Sequence, residues 1–121
     1  MLPQRGDIFY ADTIFNANGI AVNNTVHPIL ILDNQMGSRY KPTVICATIV
    51  QMSKPKLPIH VALETDKYPL ASESVIRMDF IQTIDNKRLR EKICRLDADS
   101  LKKVEAALKM VSCISDAGAN T

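Results

Sequence analysis

The sequence predicts a mainly β fold completed by a C-terminal helix, an α+β arrangement. Short β-branched runs such as "HPILILD", "TVICATIVQ" and "SVIRMDFIQTID" follow one another, separated by turn-rich segments. From Asp97 the apolar period changes, and Leu101, Val104, Leu108 and Val111 recur at helical spacing. No repeat, low-complexity tract or linker breaks the pattern, so residues 1–121 are expected to form one domain.

Taken in order, "GDIFYADT" opens with turn-forming Gly6 and Asp7 and continues as an aromatic first strand. "FNANGIAVNNT" is Asn-rich and reads as a long binding loop. "HPILILD" is a continuous apolar strand buried on both faces, with Pro28 at its first position. "NQMGSRYKP" is a connection, "TVICATIVQ" a strand, and "MSKPKLP" a second loop carrying two lysines. In "IHVAL" the alternation points His60 and Ala62 away from Ile59, Val61 and Leu63. "SVIRMDFIQTID" supplies one or two more strands. Asp97 or Asp99 caps the helix that follows, and the tail 116–121 is expected to fray into disorder. These pieces make a small antiparallel sheet or barrel with the helix packed on it.

Composition narrows the function classes. Hydrophobic residues at 46% and charged residues at 23% suit a globular chain. Trp is absent and aromatics are 5%, so the core rests on Ile, Leu, Val and Met. No apolar run approaches the ~20 residues that span a bilayer, and "MLPQRGD" lacks a signal-peptide core. Cys46, Cys94 and Cys113 are odd in number and lack metal-type spacing, which points to a reduced, cytoplasmic setting. A net charge of +2 does not announce a nucleic-acid binder. The run "NKRLREKICR" is more suggestive, with Lys87, Arg88, Arg90, Lys92 and Arg95 against Glu91 alone. It reads either as a solvated rim or as a contact for a polyanion.

Nucleophile elbows, phosphate loops, paired carboxylates and metal clusters are absent, so no metal or cofactor is expected. Cys46 lies in an apolar strand and reads as core, and Asp7, Asp12 and Asp33 read as turn or cap residues. What remains is histidine beside cationic loops. Metal-free RNA cleavage needs a base for the 2′-hydroxyl, an acid for the leaving 5′-oxygen, and donors for the phosphorane. An imidazole near pKa ~6.5 can serve as either base or acid. His27 with Lys54 and Lys56 could form such a site, and the plainer reading is that His27 merely begins a strand.

The ordered blocks "RGDIFYAD", "HPILIL", "NQMGSRYKPTVICATI", "KLPIHV", "SVIRMDFIQTID" and "RLREKICRLD" resemble the MazF/PemK/Kid toxin family, above all its Gram-positive members, over residues 4–115. The resemblance implies a small, strongly twisted SH3-like barrel of the MazF/CcdB kind with a C-terminal helix, forming a homodimer. It implies a type II toxin that cuts single-stranded mRNA without metal, leaving 2′,3′-cyclic phosphate and 5′-hydroxyl ends. An antitoxin's acidic C-terminal segment would block the RNA groove. RNA and antitoxin are both polyanions, for which Asn18, Asn23, Asn24, Arg39, Lys54, Lys56, Phe80 and Gln82 are the expected contacts.

The catalytic places depart from the family pattern. His27 stands where the family has Arg, and Val50 where it has Thr, with Thr48 two residues earlier on the same face. Phe80 stands where a groove-lining Gln is usual. Histidine lacks the planar fork of arginine, valine lacks a hydroxyl, and phenylalanine stacks without donating. Losing one preorganised donor costs ~10²–10³ in rate, so impaired or altered catalysis is expected. The alternatives are a non-catalytic binder of RNA, antitoxin or a related toxin subunit and, more remotely, a CcdB-like gyrase inhibitor.

Overall fold

The computed structural model describes residues 3–13, 16–17, 20–21, 25–33, 42–51, 58–64, 66–70 and 73–119. The strands are β1 (Asp7–Thr13), β2 (Asn16–Ala17), β3 (Ile20–Ala21), β4 (Thr25–Ile31), β5 (Thr43–Gln51), β6 (His60–Leu63), β7 (Ser74–Asp85) and β8 (Leu89–Arg95). A 3₁₀ turn, Asn86–Arg88, joins the last two, and helix α1 spans Ala98–Ala119. Six strands form one sheet in the order β6-β7-β5-β4-β1-β8, with every pairing antiparallel. Inside the expected long loop, β2 and β3 pair as a separate small ribbon.

This is the expected small antiparallel sheet with a terminal helix; among the described residues the sheet does not close on itself, a small departure from the expected barrel. Its two edges are the short β6, His60–Leu63, and β8. The exposed Arg90, Glu91, Lys92 and Arg95 line β8 and discourage further pairing. Pro28 also sits differently from expectation. Strand β4 begins at Thr25, and Pro28 pairs with Tyr10 of β1. Pairing with β5 begins only at Ile29, so proline's missing N–H falls where β4 has a neighbour on one side.

Two apolar layers flank the sheet. On one side Ile8, Leu30, Ala47, Ile49, Val61, Ile76 and Met78 pack beneath Val104 and Ala107 of the helix, which lies on β6 and β7. Each Val, Leu, Ile or Met side chain among them contributes about 1.5–3 kcal/mol when fully buried. Asp97 caps the helix by accepting from the Ser100 N–H at 2.7 Å. The opposite side carries a smaller cluster: Phe9, Ala11, Ile29, Ile31, Val44, Cys46 and Ile84. No helix among the described residues is long and apolar enough to cross a membrane.

"SVIRMDFIQTID" forms a single strand, interrupted by one feature that shapes the site. Strand β7 pairs with β5 in one register from Thr43↔Asp85 to Ala47↔Ile81, and in another from Thr48↔Arg77 to Gln51↔Ser74. Met78, Asp79 and Phe80 fall between the two as a bulge, a device that re-aims side chains.

Candidate functional site

Cross-strand partners share a sheet face, so the register identifies what stands beside the smaller apolar cluster. Thr48 pairs with Ile29 on one side and Arg77 on the other, and Arg77 pairs with His60. His27 is two residues from Ile29 and shares its face, opposite Ala11 of β1. Strand spacings put its Cα about 8 Å from that of Thr48. Gln82 pairs with Cys46, again on this face. A polar row therefore runs beside an apolar floor, on the side away from the helix.

The bulge gives this row its chemistry. Arg77 Nε donates to Asp79 Oδ1 at 3.2 Å and Nη2 to Oδ2 at 2.7 Å, a fork on a carboxylate. His60 Nε2 lies 2.9 Å from Asp79 Oδ1, with its imidazole buried. The Arg77 hydrogen bonds hold the Asp79 carboxyl below the usual range, and Asp79 raises the guanidinium in turn. An ionised carboxylate only accepts, so His60 donates through Nε2. The Arg77 Cζ stands 5.6 Å from the centre of the Phe80 ring. Gln82 Nε2 donates to Thr48 Oγ1 at 3.3 Å.

Of the residues expected from sequence, His27, Thr48, Val50, Phe80 and Gln82 lie within the described chain, and the other six contacts (Asn18, Asn23, Asn24, Arg39, Lys54 and Lys56) fall outside it. His27 is half-buried at the margin of the apolar floor, not in the core. Thr48 is fully buried beneath the Gln82 amide, which is half-buried and stands nearer the surface. Val50 is partly exposed. Arg77, Asp79 and His60 were not among the expected residues. Their signal was an Arg and an Asp two apart, on one face of the apolar first half of a strand.

Within the basic run 86–95, three cations meet carboxylates of β1. Arg90 pairs with Asp12 at 2.6 Å, while Lys92 and Arg95 reach Asp7 at 3.3 and 2.8 Å. These contacts tie β8 to β1. Cys46 is core, as expected: burial, helped by Asp33, pushes its thiol up to about 12. Among the described residues, no group of His, Cys, Asp or Glu is placed to hold a metal ion.

A guanidinium, a carboxamide and an imidazole on one face are the donors and proton carrier that suit a phosphodiester. The comparisons with known proteins agree on lineage. The model of the PemK-like, MazF-like toxins of type II toxin–antitoxin systems matches residues 4–112. This chain belongs to that toxin family. Endoribonuclease EndoA of Bacillus subtilis (strain 168) is 37% identical to this MazF-like chain over 120 residues, covering 96% of it and 99% of EndoA. Among solved structures, an endoribonuclease in complex with its cognate antitoxin from Mycobacterial species superposes with a TM-score of 0.71. It is 21% identical, with 89% of this chain and 92% of that one covered. A MazE–MazF structure from Deinococcus radiodurans gives 0.69 at 20% identity, covering 92% and 95%. These structural likenesses establish the MazF-like fold.

Proposed function

We propose that this protein is a toxin that cuts single-stranded RNA in the cytoplasm without a metal ion, with an altered catalytic set. The reading rests on one observation: the β7 bulge gathers a guanidinium fork and a carboxamide on the same sheet face as His27. Arginine carries five N–H donors and Asp79 takes two, which leaves Arg77 donors for the non-bridging oxygens of a phosphate. Gln82 adds neutral donors. His27, in the place of the family arginine, removes the proton from the 2′-hydroxyl. The 2′-oxygen attacks phosphorus, the bond to the 5′-oxygen breaks, and that oxygen takes a proton from solvent. A 2′,3′-cyclic phosphate and a 5′-hydroxyl result. Asp79 and His60 are positioning residues that orient the Arg77 fork.

An acidic antitoxin segment would meet the same donors that hold the RNA backbone, which supports it as the natural blocker. The homodimer belongs to the same reading. Ile45 and Ile81, each more than a third exposed on adjacent strands, supply apolar surface for it.

Asp79's grip on Arg77 favours a second reading, in which the face binds RNA or antitoxin without cutting. The separating experiment is digestion of a long RNA in EDTA by wild type, His27→Ala and Arg77→Lys. The expected result is 2′,3′-cyclic ends from wild type and a loss of about 10²–10³-fold in each variant. Unchanged cutting by both variants would remove the assigned set. RNA binding with no products would leave the second reading.

A further inference from the structure

Phe80 stands in the β7 bulge, half-buried, beside Gln82 and Arg77. The Arg77 guanidinium lies 5.6 Å from the ring centre, within cation–π range. Asp79 grips that guanidinium at both Nε and Nη2. A two-point grip fixes the guanidinium plane, so the guanidinium is set against the ring before any ligand arrives. Asp79 takes two of the Arg77 donors and leaves the others for a phosphate, while the ring and the guanidinium together offer flat, polarizable surface.

We infer that Phe80 and Arg77 form the stacking platform for one nucleobase of a single-stranded RNA, with the Gln82 amide at its edge. The inference deepens the RNA-cleaving reading and rests on the same sheet face. Every base has a π-face, so stacking holds a base with little regard to identity, and larger purines gain most contact. The glutamine that the family resemblance implies at position 80 would instead recognise a base edge by hydrogen bonds. Exchanging it for phenylalanine therefore keeps affinity while loosening selectivity at one nucleotide.

The test uses the full chain and a fluorescein-labelled 2′-O-methyl RNA, which binds but lacks the attacking hydroxyl. Anisotropy gives Kd for wild type, Phe80→Leu, which keeps apolar bulk without a ring, and Phe80→Trp. The Leu variant should bind about 5- to 150-fold more weakly, and Trp should restore binding. An RNA carrying an abasic site at the stacked nucleotide, found by scanning that site along the strand, should bind wild type and the Leu variant equally. On cleavable RNA the Leu variant should raise KM while kcat holds, and Phe80→Gln should narrow the base preference at one position of the cut site.

Equal Kd for wild type and Phe80→Leu would overturn the inference, as would a difference that persists at every abasic position. A wild type that binds with this Phe80 dependence yet never cuts would refute cleavage and leave the platform standing. A wild type that cuts while Phe80→Leu binds normally would refute the platform alone.

Discussion

Replacing Asp79 with asparagine strikes the joint on which the site geometry depends. Asparagine keeps the shape, but it turns one acceptor into a donor that faces Arg77 Nη2, now 2.7 Å from a carboxylate oxygen. The fork opens, and the acceptor that residue 79 offers the buried His60 imidazole becomes a weaker, neutral one. A hydrogen bond to a charged group is worth about 1.5–3 kcal/mol, and an exposed ion pair about 0.2–1 kcal/mol. The Asp79 side chain is 23% exposed and lies between those limits. We expect Asp79→Asn to destabilise the fold by about 2 kcal/mol, a fall in Tm of about 8 °C for a chain this size.

The pH dependence gives the sharper check. The folded carboxyl is held below its ordinary value, chiefly by Arg77. Its contribution is therefore complete above the unfolded carboxyl's range, near ~3.9, and is lost as pH falls through the lowered folded value. Thermal unfolding followed by circular dichroism should show the full gap between wild type and variant at about pH 6, narrowing steadily in stronger acid. A gap of the same size at every pH, or equal Tm values at neutral pH, would refute the assignment of Asp79 as an ionised anchor.

Two further outcomes are expected. Cys46, buried and with its thiol pushed up to about 12, should resist iodoacetamide in the folded protein and react once denaturant is added, as read by peptide mass spectrometry. Arg90→Ala breaks only an exposed pair with Asp12, so RNA affinity by anisotropy should stay within about twofold and Tm within about 2 °C.

Much of the fold was legible because local signals agreed. β-Branched runs became strands, the 3.6-residue period from Leu101 became the helix, and Asp97 became its cap. What remained hidden depended on pairing between distant segments. Nothing local to Pro28 reveals that β4 starts three residues earlier, because its backbone is satisfied by β1 alone at that point. Whether six strands close into a barrel depends on their accumulated twist and stagger, which no local signal carries. Within the basic run, the partners of Arg90, Lys92 and Arg95 are Asp7 and Asp12, some eighty positions away in sequence, which no local pattern reveals.

The site shows the same division. His27, Thr48, Phe80 and Gln82 could be picked out by residue type and family place. Arg77, Asp79 and His60 could not, since His60 meets the other two only through the β6–β7 pairing, and the β5–β7 register shifts beside them between Ala47 and Thr48. That shift also sets Gln82 over the Thr48 hydroxyl. A one-dimensional alternation rule has no means to foresee it.

The most direct measurement is an NMR titration of the ¹⁵N-labelled protein with a non-cleavable 2′-O-methyl oligonucleotide. Backbone shifts should concentrate at His27, Thr48, Arg77, Phe80 and Gln82, while Val104 and Ala107 on the helix stay still. Shifts gathered on the helix, or along β8 at Arg90 and Arg95, would place the RNA elsewhere and contradict the assigned site.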